Sequence, residues 1–280
     1  MRLDKYLSDM GVGTRSECKK IIKAGRVMIA DATISDPAFH VSSDDKVFVD
    51  GDTLSYEEHI YYLMNKPQGI ITATKDNSKK TILDLINPED RRKELFPVGR
   101  LDKDTEGFLL ITNDGALSHE LLSPKHHVEK TYYAVVSGEM DTTDIEAFAA
   151  GLEIDGGDVC LPAKLNILST FNVSAFQGAN SDSSILASAL PTQIVEIAPK
   201  ISTPRLETSM YSEIEITITE GKYHQIKRMC LKRGHEVLYL KRLSMGGLSL
   251  DSALVPGEYR RLTPEELSLL RAVDSSLLQH

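Results

Sequence analysis

A single carboxylate between two cations is the first place in this chain where side chains could do chemistry. Asp102 stands between Arg100 and Lys103 in GRLDKDTEGFLLITNDG, residues 99–115. Gly99 permits a tight bend before it, the apolar run 108–111 after it reads as a strand, and Asn113, Asp114 and Gly115 read as the turn of a hairpin. A lone ionised carboxylate can stabilise, or bond to, a carbon that develops positive charge, as the anomeric carbon of a sugar does when its bond to a base breaks. A glycosidase generally needs a second acid, because it must also activate water. Asp104 and Glu106 are close in sequence and read equally well as exposed loop acids.

Two further stretches could supply partners. In EGKYHQIKRM, an ideal helix would put His224, Lys227 and Arg228 on one face and Ile226, Met229 and Cys230 on the other. EKTYYAVVSG alternates as a strand, with Lys130, Tyr132 and Ala134 on one face and Thr131, Tyr133 and Val135 on the other.

The bulk properties narrow the function classes. A chain of 280 residues suggests one large domain or two unequal ones, and 41% hydrophobic with 26% charged residues is ordinary for a globular protein. No apolar run approaches the roughly 20 residues of a membrane span, and the opening MRLDKYLSD lacks the apolar core of a signal peptide. Three cysteines without a CxxC pair point to a reducing cytoplasm and away from structural zinc. A net charge of −9 speaks against a nucleic-acid partner, but its distribution says otherwise. Residues 1–27 carry seven basic residues (Arg2, Lys5, Arg15, Lys19, Lys20, Lys23, Arg26) against three acids, and residues 221–242 carry seven against one. Two basic islands in an acidic chain imply one polyanion contacted at two places.

The elements that must position these groups follow from local patterning. Leu3, Tyr6, Leu7 and Met10 have helical spacing ended by Gly11, and Thr14 to Glu17 forms a capping box opening a second helix stopped by Gly25. RVMI and KVFVDG read as short strands, and residues 52–60 as a polar linker. IYYLMNKPQGIIT reads as strand, Lys-Pro turn, strand; TILDLINPEDRRKELF as an interrupted helix; LSHELLSP as a short helix. EIEITI is a strand before the 221–234 helix, LSLDSALVPGEYRRL suggests strands, and residues 263–266 cap a final helix. Residues 172–212, rich in Ser, Ala and Thr, read as a long loop or insertion without an assigned function. Strands and helices mix without a βαβ repeat, which favours α+β.

The opening stretch, RLDKYLSDMGVGTRSECKKIIKAGRVMI with DKVFVDG, resembles the S4 (αL-type) RNA-binding domain over residues 1–51. NKPQG, GRLDKDTEGFLLITNDG, EKTYYAVV and EGKYHQIKRM together resemble the pseudouridine synthases of the ribosomal small-subunit type, the RsuA branch. That resemblance implies an S4 domain, a linker, and a catalytic domain over residues 61–280, built on a mixed, mainly antiparallel sheet with flanking helices. It implies Asp102 as the catalytic aspartate, Tyr132 as the tyrosine at the base, Lys227 as the basic partner of Asp102 and Leu240 as an apolar neighbour of the base.

Chemistry agrees with these residue types. Uridine becomes pseudouridine by breaking N1–C1′, turning the base and joining C5 to C1′, which consumes no electrons, phosphate or water, so neither cofactor nor metal is expected. Burial beside phosphates disfavours an ionised aspartate, and a cation such as Lys227, helped by Arg100, corrects this. Extruding a base costs a few kcal/mol, and stacking on Tyr132 offsets about 1–3 kcal/mol of it. Leu101, Phe108 and Leu109 are expected to exclude water, and Arg100, Leu101, His224, Gln225, Arg228 and Leu240 to contact the substrate. The expectation is a monomeric, cytoplasmic enzyme acting on 16S ribosomal RNA or a small-subunit assembly particle, the basic N-terminal residues supplying phosphate contacts. A large-subunit uridine and a non-catalytic ribosome-assembly factor are the alternatives.

Overall fold

The computed structural model describes residues 1–42, 45–54, 57–91, 94–172, 200 and 208–271. It opens with α1 (Leu3–Asp9) and α2 (Arg15–Lys23), followed by β1 (Val27–Ile29), β2 (Ala32–Thr33), β3 (Val47–Val49) and β4 (Asp52–Leu54). The capping box is present: the Glu17 amide donates to Thr14 Oγ1 and the Thr14 amide to Glu17 Oε2, which satisfies two orphan amides at the start of α2. Leu3, Tyr6, Leu7, Cys18 and Ile22 from the helices close over Val27 and Val47 as a separate hydrophobic core. The four strands form one sheet in the order β2-β1-β3-β4. Asp50 and Gly51 both have positive φ, the geometry of a tight hairpin turn, so the chain pairs again at once. The expected linker at 52–60 therefore begins with three residues of strand, β4 on β3.

The rest of the described chain is built on a nine-stranded sheet. Its elements are β5 (Tyr61–Lys66), β6 (Phe96–Pro97), β7 (Glu106–Thr112), α3 (Gly115–Leu122), β8 (Lys130–Ser137), α4 (Thr142–Ala150), β9 (Glu153–Ile154), β10 (Asp158–Val159), β11 (Lys164–Asn172), β12 (Met210–Ile218), α5 (Gln225–Lys232), β13 (Val237–Met245), β14 (Leu248–Ser249), β15 (Tyr259–Arg261) and α6 (Pro264–Arg271). The strand order is β11-β12-β8-β13-β7-β5-β15, with β14 on β13, β6 on β7, and β9–β10 a separate hairpin. The β13–β7 pair is parallel and the other strand pairs are antiparallel, so the α+β expectation holds. Alternation sorts the side chains. Tyr62, Met64, Leu109, Ile111, Tyr132, Ala134 and Leu240 enter the main core, on which Phe148 of α4 and Ile226, Met229 and Cys230 of α5 pack. Leu63, Phe108 and Leu110 meet Leu117 and Leu121 of α3 and Leu270 of α6 in another cluster. Burying the Ile226 and Met229 side chains contributes roughly 1.5–3 kcal/mol each, which seats α5 against the sheet and leaves its other face for the cleft.

Several local expectations are corrected. Residues 113–115 do not turn a hairpin: Asp114 accepts from the Leu117 amide and caps α3. After β5 there is no second strand, only a bridge from Ile71 to Thr81. The interrupted helix is a 3₁₀ turn over Ile82–Leu85. The segment 172–212 is strand at its two ends, Asn172 in β11 and residues 210–212 in β12; apart from Lys200 and residues 208 and 209, its interior lies outside the described residues. Gly107, with φ 103°, is required where β7 meets β13, since a Cβ there would lie 2.2 Å from the Arg242 carbonyl oxygen.

Candidate active site

The loop 99–105 delivers Asp102 to a cleft of about 970 Å³ whose walls include Arg100, Tyr132, Lys130, His224, Lys227 and Arg242. A narrower recess adjoining it is lined by Leu101, Asp102, Tyr132, Gln225, Lys227 and Leu240. Sheet, loop and α5 thus bring Asp102, Tyr132, Lys227 and Leu240 together, although 138 residues separate the first of these from the last.

Two side-chain nitrogens converge on one carboxylate. Lys227 Nζ lies 3.2 Å from Asp102 Oδ2, and His224 Nε2 lies 3.4 Å from Asp102 Oδ1. His224 is not on the helix, as periodicity suggested; it precedes α5 in a left-handed conformation, with φ 49°. Its ring stacks on Tyr223 at 3.8 Å between centroids, and Tyr223 itself is 71% exposed. Lys227 is shared, since its Nζ also donates to Asp104 Oδ1 at 2.6 Å. Burial pushes the Asp104 carboxyl up, but the Lys227 hydrogen bond and charge bring it below the usual carboxylate range. Glu106, read as a possible loop acid, is buried and bound to Lys200 and the Tyr239 hydroxyl.

The remaining expected substrate contacts divide. Arg100 and Leu101 line the cleft, Leu101 nearly buried and Arg100 exposed. Gln225 lines the recess but is spoken for: its side-chain oxygen accepts from the Lys222 amide and its nitrogen donates to Glu220. Arg228 does not line the cleft. Its guanidinium binds Asp155 Oδ1 at 2.8 Å and Asp158 Oδ2 at 3.5 Å, bracing the β9–β10 hairpin. Phe108 is also misplaced by sequence reasoning, lying in the cluster with α3 and α6, while Leu109 is buried in the main core behind the cleft.

Sequence reasoning missed what holds the loop. Lys66, fully buried at the end of β5, donates to the carbonyl oxygens of Pro67 at 3.0 Å, Thr105 at 2.9 Å and Lys103 at 3.4 Å. The Gly69 amide donates to the Lys103 carbonyl, and Thr72 Oγ1 donates to the carbonyl and accepts from the amide of Leu101. Burial pushes the Lys66 ammonium down to about 8, opposed by the charges of Asp104 and Asp102. NKPQG was visible as a stretch, but nothing local says that its lysine reaches carbonyls 37 and 39 residues away. Lys66→Met should leave the Thr105 and Pro67 carbonyls without the Lys66 donor, each costing about 1–3 kcal/mol, while the Lys103 carbonyl keeps the Gly69 amide. The expected result is a thermal midpoint lowered by several degrees and a turnover rate lowered about 10–100-fold, measured by melting and by turnover on the same preparation; an unchanged rate would remove Lys66 from the positioning of Asp102.

The N-terminal basic residues are less free than their row of four-residue spacings suggested. Arg2, Arg15 and Lys19 converge on Asp4 at 3.1, 3.3 and 3.9 Å. Asp4 is fully buried, and the Arg2 hydrogen bond, helped by Arg15, holds its carboxyl at about 2. Arg26 forms a two-pronged pair with Asp50. Lys5, Lys20 and Lys23 are exposed and have no ion pair with another described residue. Among the described residues, no cluster of His, Cys, Asp and Glu could hold a metal ion, and no helix is long and apolar enough to cross a membrane.

Comparison with known proteins meets this geometry from outside. A family model described as RNA pseudouridylate synthase matches residues 60–232, and the S4 domain model matches residues 1–47. The chain is 46% identical over 271 residues to an uncharacterised RNA pseudouridine synthase, YtzG, of Bacillus subtilis, covering 96% of this chain and 98% of the relative. It is 34% identical to ribosomal small subunit pseudouridine synthase A of Vibrio cholerae, covering 96% and 98%, and 32% identical to ribosomal large subunit pseudouridine synthase B of Bacillus subtilis, covering 97% and 96%. A crystal structure of a pseudouridylate synthase, 31% identical, superposes with a TM-score of 0.57 over 96% of this chain and 99% of the other.

Proposed function

The chain belongs to the RNA pseudouridylate synthase family, and from that premise we propose that it isomerises one uridine of 16S ribosomal RNA, with Asp102 as the nucleophile. The observation that carries the site assignment is the Asp102 carboxylate within 3.2 Å of Lys227, at a recess walled by Tyr132 and Leu240.

The reaction balances on these groups. An oxygen of Asp102 bonds to C1′ as N1–C1′ breaks, and the uracil leaves with the bonding pair. The base turns, C5 bonds to C1′ and displaces the carboxylate, C5 then loses its proton to solvent, and N1 gains one. Tyr132 offers a ring over the loose base, and Leu101 and Leu240 keep water from the sugar carbon. Arg100 is exposed and lines the cleft, which supports a contact from it to a backbone phosphate. At the other end of the chain, Lys5, Lys20 and Lys23 contribute the salt-sensitive part of RNA affinity, with Arg2, Arg15, Lys19 and Arg26 compensated in part by Asp4 and Asp50. The protein acts as a monomer in the cytoplasm.

The small-subunit substrate rests on the ending EGKYHQIKRM with LKRLSMGGLSLD and on the relative named for the small subunit. The large-subunit relative favours a second reading, a 23S uridine. Incubating the protein separately with 16S and 23S transcripts and mapping pseudouridine decides between them. One new pseudouridine in 16S and none in 23S is expected; the reverse pattern overturns the small-subunit assignment.

A further inference from the structure

Lys130 and Arg242 stand apart because, among the described residues, no acid answers them. Both line the cleft that holds Asp102 and Tyr132, yet Lys130 is 7% and Arg242 2% exposed. Lys130 Nζ donates to the Val128 carbonyl at 2.7 Å, and Arg242 Nε to the Phe108 carbonyl at 2.8 Å. Arg242 Nη2 is buried with no hydrogen-bond partner among the described residues. Among the described residues, neither cation has a carboxylate within ion-pair distance. They sit near one another on paired strands, Arg242 facing Tyr132 and Lys130 facing Met245. Burial pushes the Lys130 ammonium down to about 8, and the charge of Arg242 adds to the effect.

Buried Lys and Arg are almost always paired, because removing a charge from water without a counter-charge is costly. Two such cations on paired strands raise that cost, relieved in part at Arg242 by the Phe108 ring, whose centroid lies 5.9 Å from the guanidinium carbon. They also lie where the incoming partner is a polyanion, on the reading of the site given above. Lys130 and Tyr132 are two apart on β8, so their side chains share a face about 7 Å apart, within the span of one nucleotide. Arginine presents a planar fork suited to phosphate, and lysine a point charge.

We propose that Lys130 and Arg242 form a subsite for one RNA backbone phosphate flanking the extruded uridine. The phosphate supplies the missing counter-charge, and the pair fixes where the backbone lies while Tyr132 holds the base. The proposal rests on RNA being the substrate; it adds a contact that acts on binding rather than on bond breaking.

The test uses the full-length protein and a 16S transcript tritiated at uridine C5, with affinity measured from low to high salt. Lys130→Gln should lower the slope of log affinity against log salt by about 0.7–0.9, the value for one phosphate contact. KM should rise about tenfold at physiological salt and kcat stay within about twofold. The thermal midpoint should hold or rise, because an unpaired buried charge has gone. Lys130→Arg should recover most of the slope. Arg242→Gln should behave like Lys130→Gln, and if it does not fold the two Lys130 variants decide alone. Wild-type slope and KM in Lys130→Gln would overturn the subsite, as would a fall in the midpoint with the slope kept, since that is the mark of a structural lysine. Wild-type protein that binds the 16S transcript but releases no tritium from it refutes the 16S substrate, and no release from a 23S transcript as well refutes the isomerase reading, while the slopes still decide the subsite.

Discussion

Lys227→Met is expected to lower turnover about 10²–10³-fold while leaving RNA affinity within a few-fold of wild type. The ammonium lies 3.2 Å from Asp102 and 2.6 Å from Asp104, and its side chain is only 23% exposed. Removing one preorganised charge from a site where charge develops typically costs that much in rate. Methionine preserves the length of the stem and its packing on α5, so loss of charge is the main change. Two carboxylates would then face each other with only the His224 ring close to Asp102, and the loop would be pushed apart as well as deprived of its partner. Lys227→Arg keeps the charge and can form two parallel bonds to a carboxylate, so it should stay within about tenfold of wild type. Single-turnover tritium release on saturating RNA separates the two variants from any change in binding. Equal rates for Lys227→Met and wild type would mean that the ion pair holds α5 to the loop and does nothing for the reaction.

Much of the fold was legible wherever local chemistry decides the outcome. Thr14 and Glu17 cap α2 as their spacing requires, and Thr263 with Glu266 caps α6 in the same way. The alternation in β8 correctly separates Tyr132 from Tyr133, whose hydroxyl goes instead to Glu213 on the opposite face. Errors arose where one residue type serves two local structures. Asp114 followed by glycine fits a turn and a helix cap equally well, and only the docking of Leu117 and Leu121 beneath the sheet selects the cap. His224 has helical spacing to Lys227 and Arg228, but the chain turns at His224 and enters α5 at Gln225. Arg228 lies on a reasonable face, yet the Asp155–Asp158 hairpin that captures it was not read at all.

The supporting parts of the site were the least visible. Lys66, Thr72 and Arg242 act on backbone carbonyls of segments brought close only by tertiary folding, and carbonyls carry no sequence signal. Conversely, the row of Arg15, Lys19 and Lys23 looked uniform in sequence. The structure divides it, because Asp4 of α1 is buried beneath the first two. Which residues have chemistry was readable from motif and type; which of them are already occupied by a partner was not.

Asp102→Asn should reduce turnover by at least about 10⁴-fold, the scale on which removing a nucleophile acts. Asparagine has nearly the same shape, so the main-chain bond from the Thr105 amide to the residue 102 carbonyl survives and the loop stays pinned by Lys66 and Thr72. The amide is a poor nucleophile and brings no negative charge to a forming sugar cation. RNA affinity should hold or improve slightly, because one anion has left a cleft that also carries Arg100, Lys130 and Lys227. The decisive measurement is tritium release from C5-labelled 16S transcript by Asp102→Asn, with binding followed in parallel. Tight binding with no release above background is the predicted result; release at the wild-type rate would contradict the assignment of the carboxylate to the reaction.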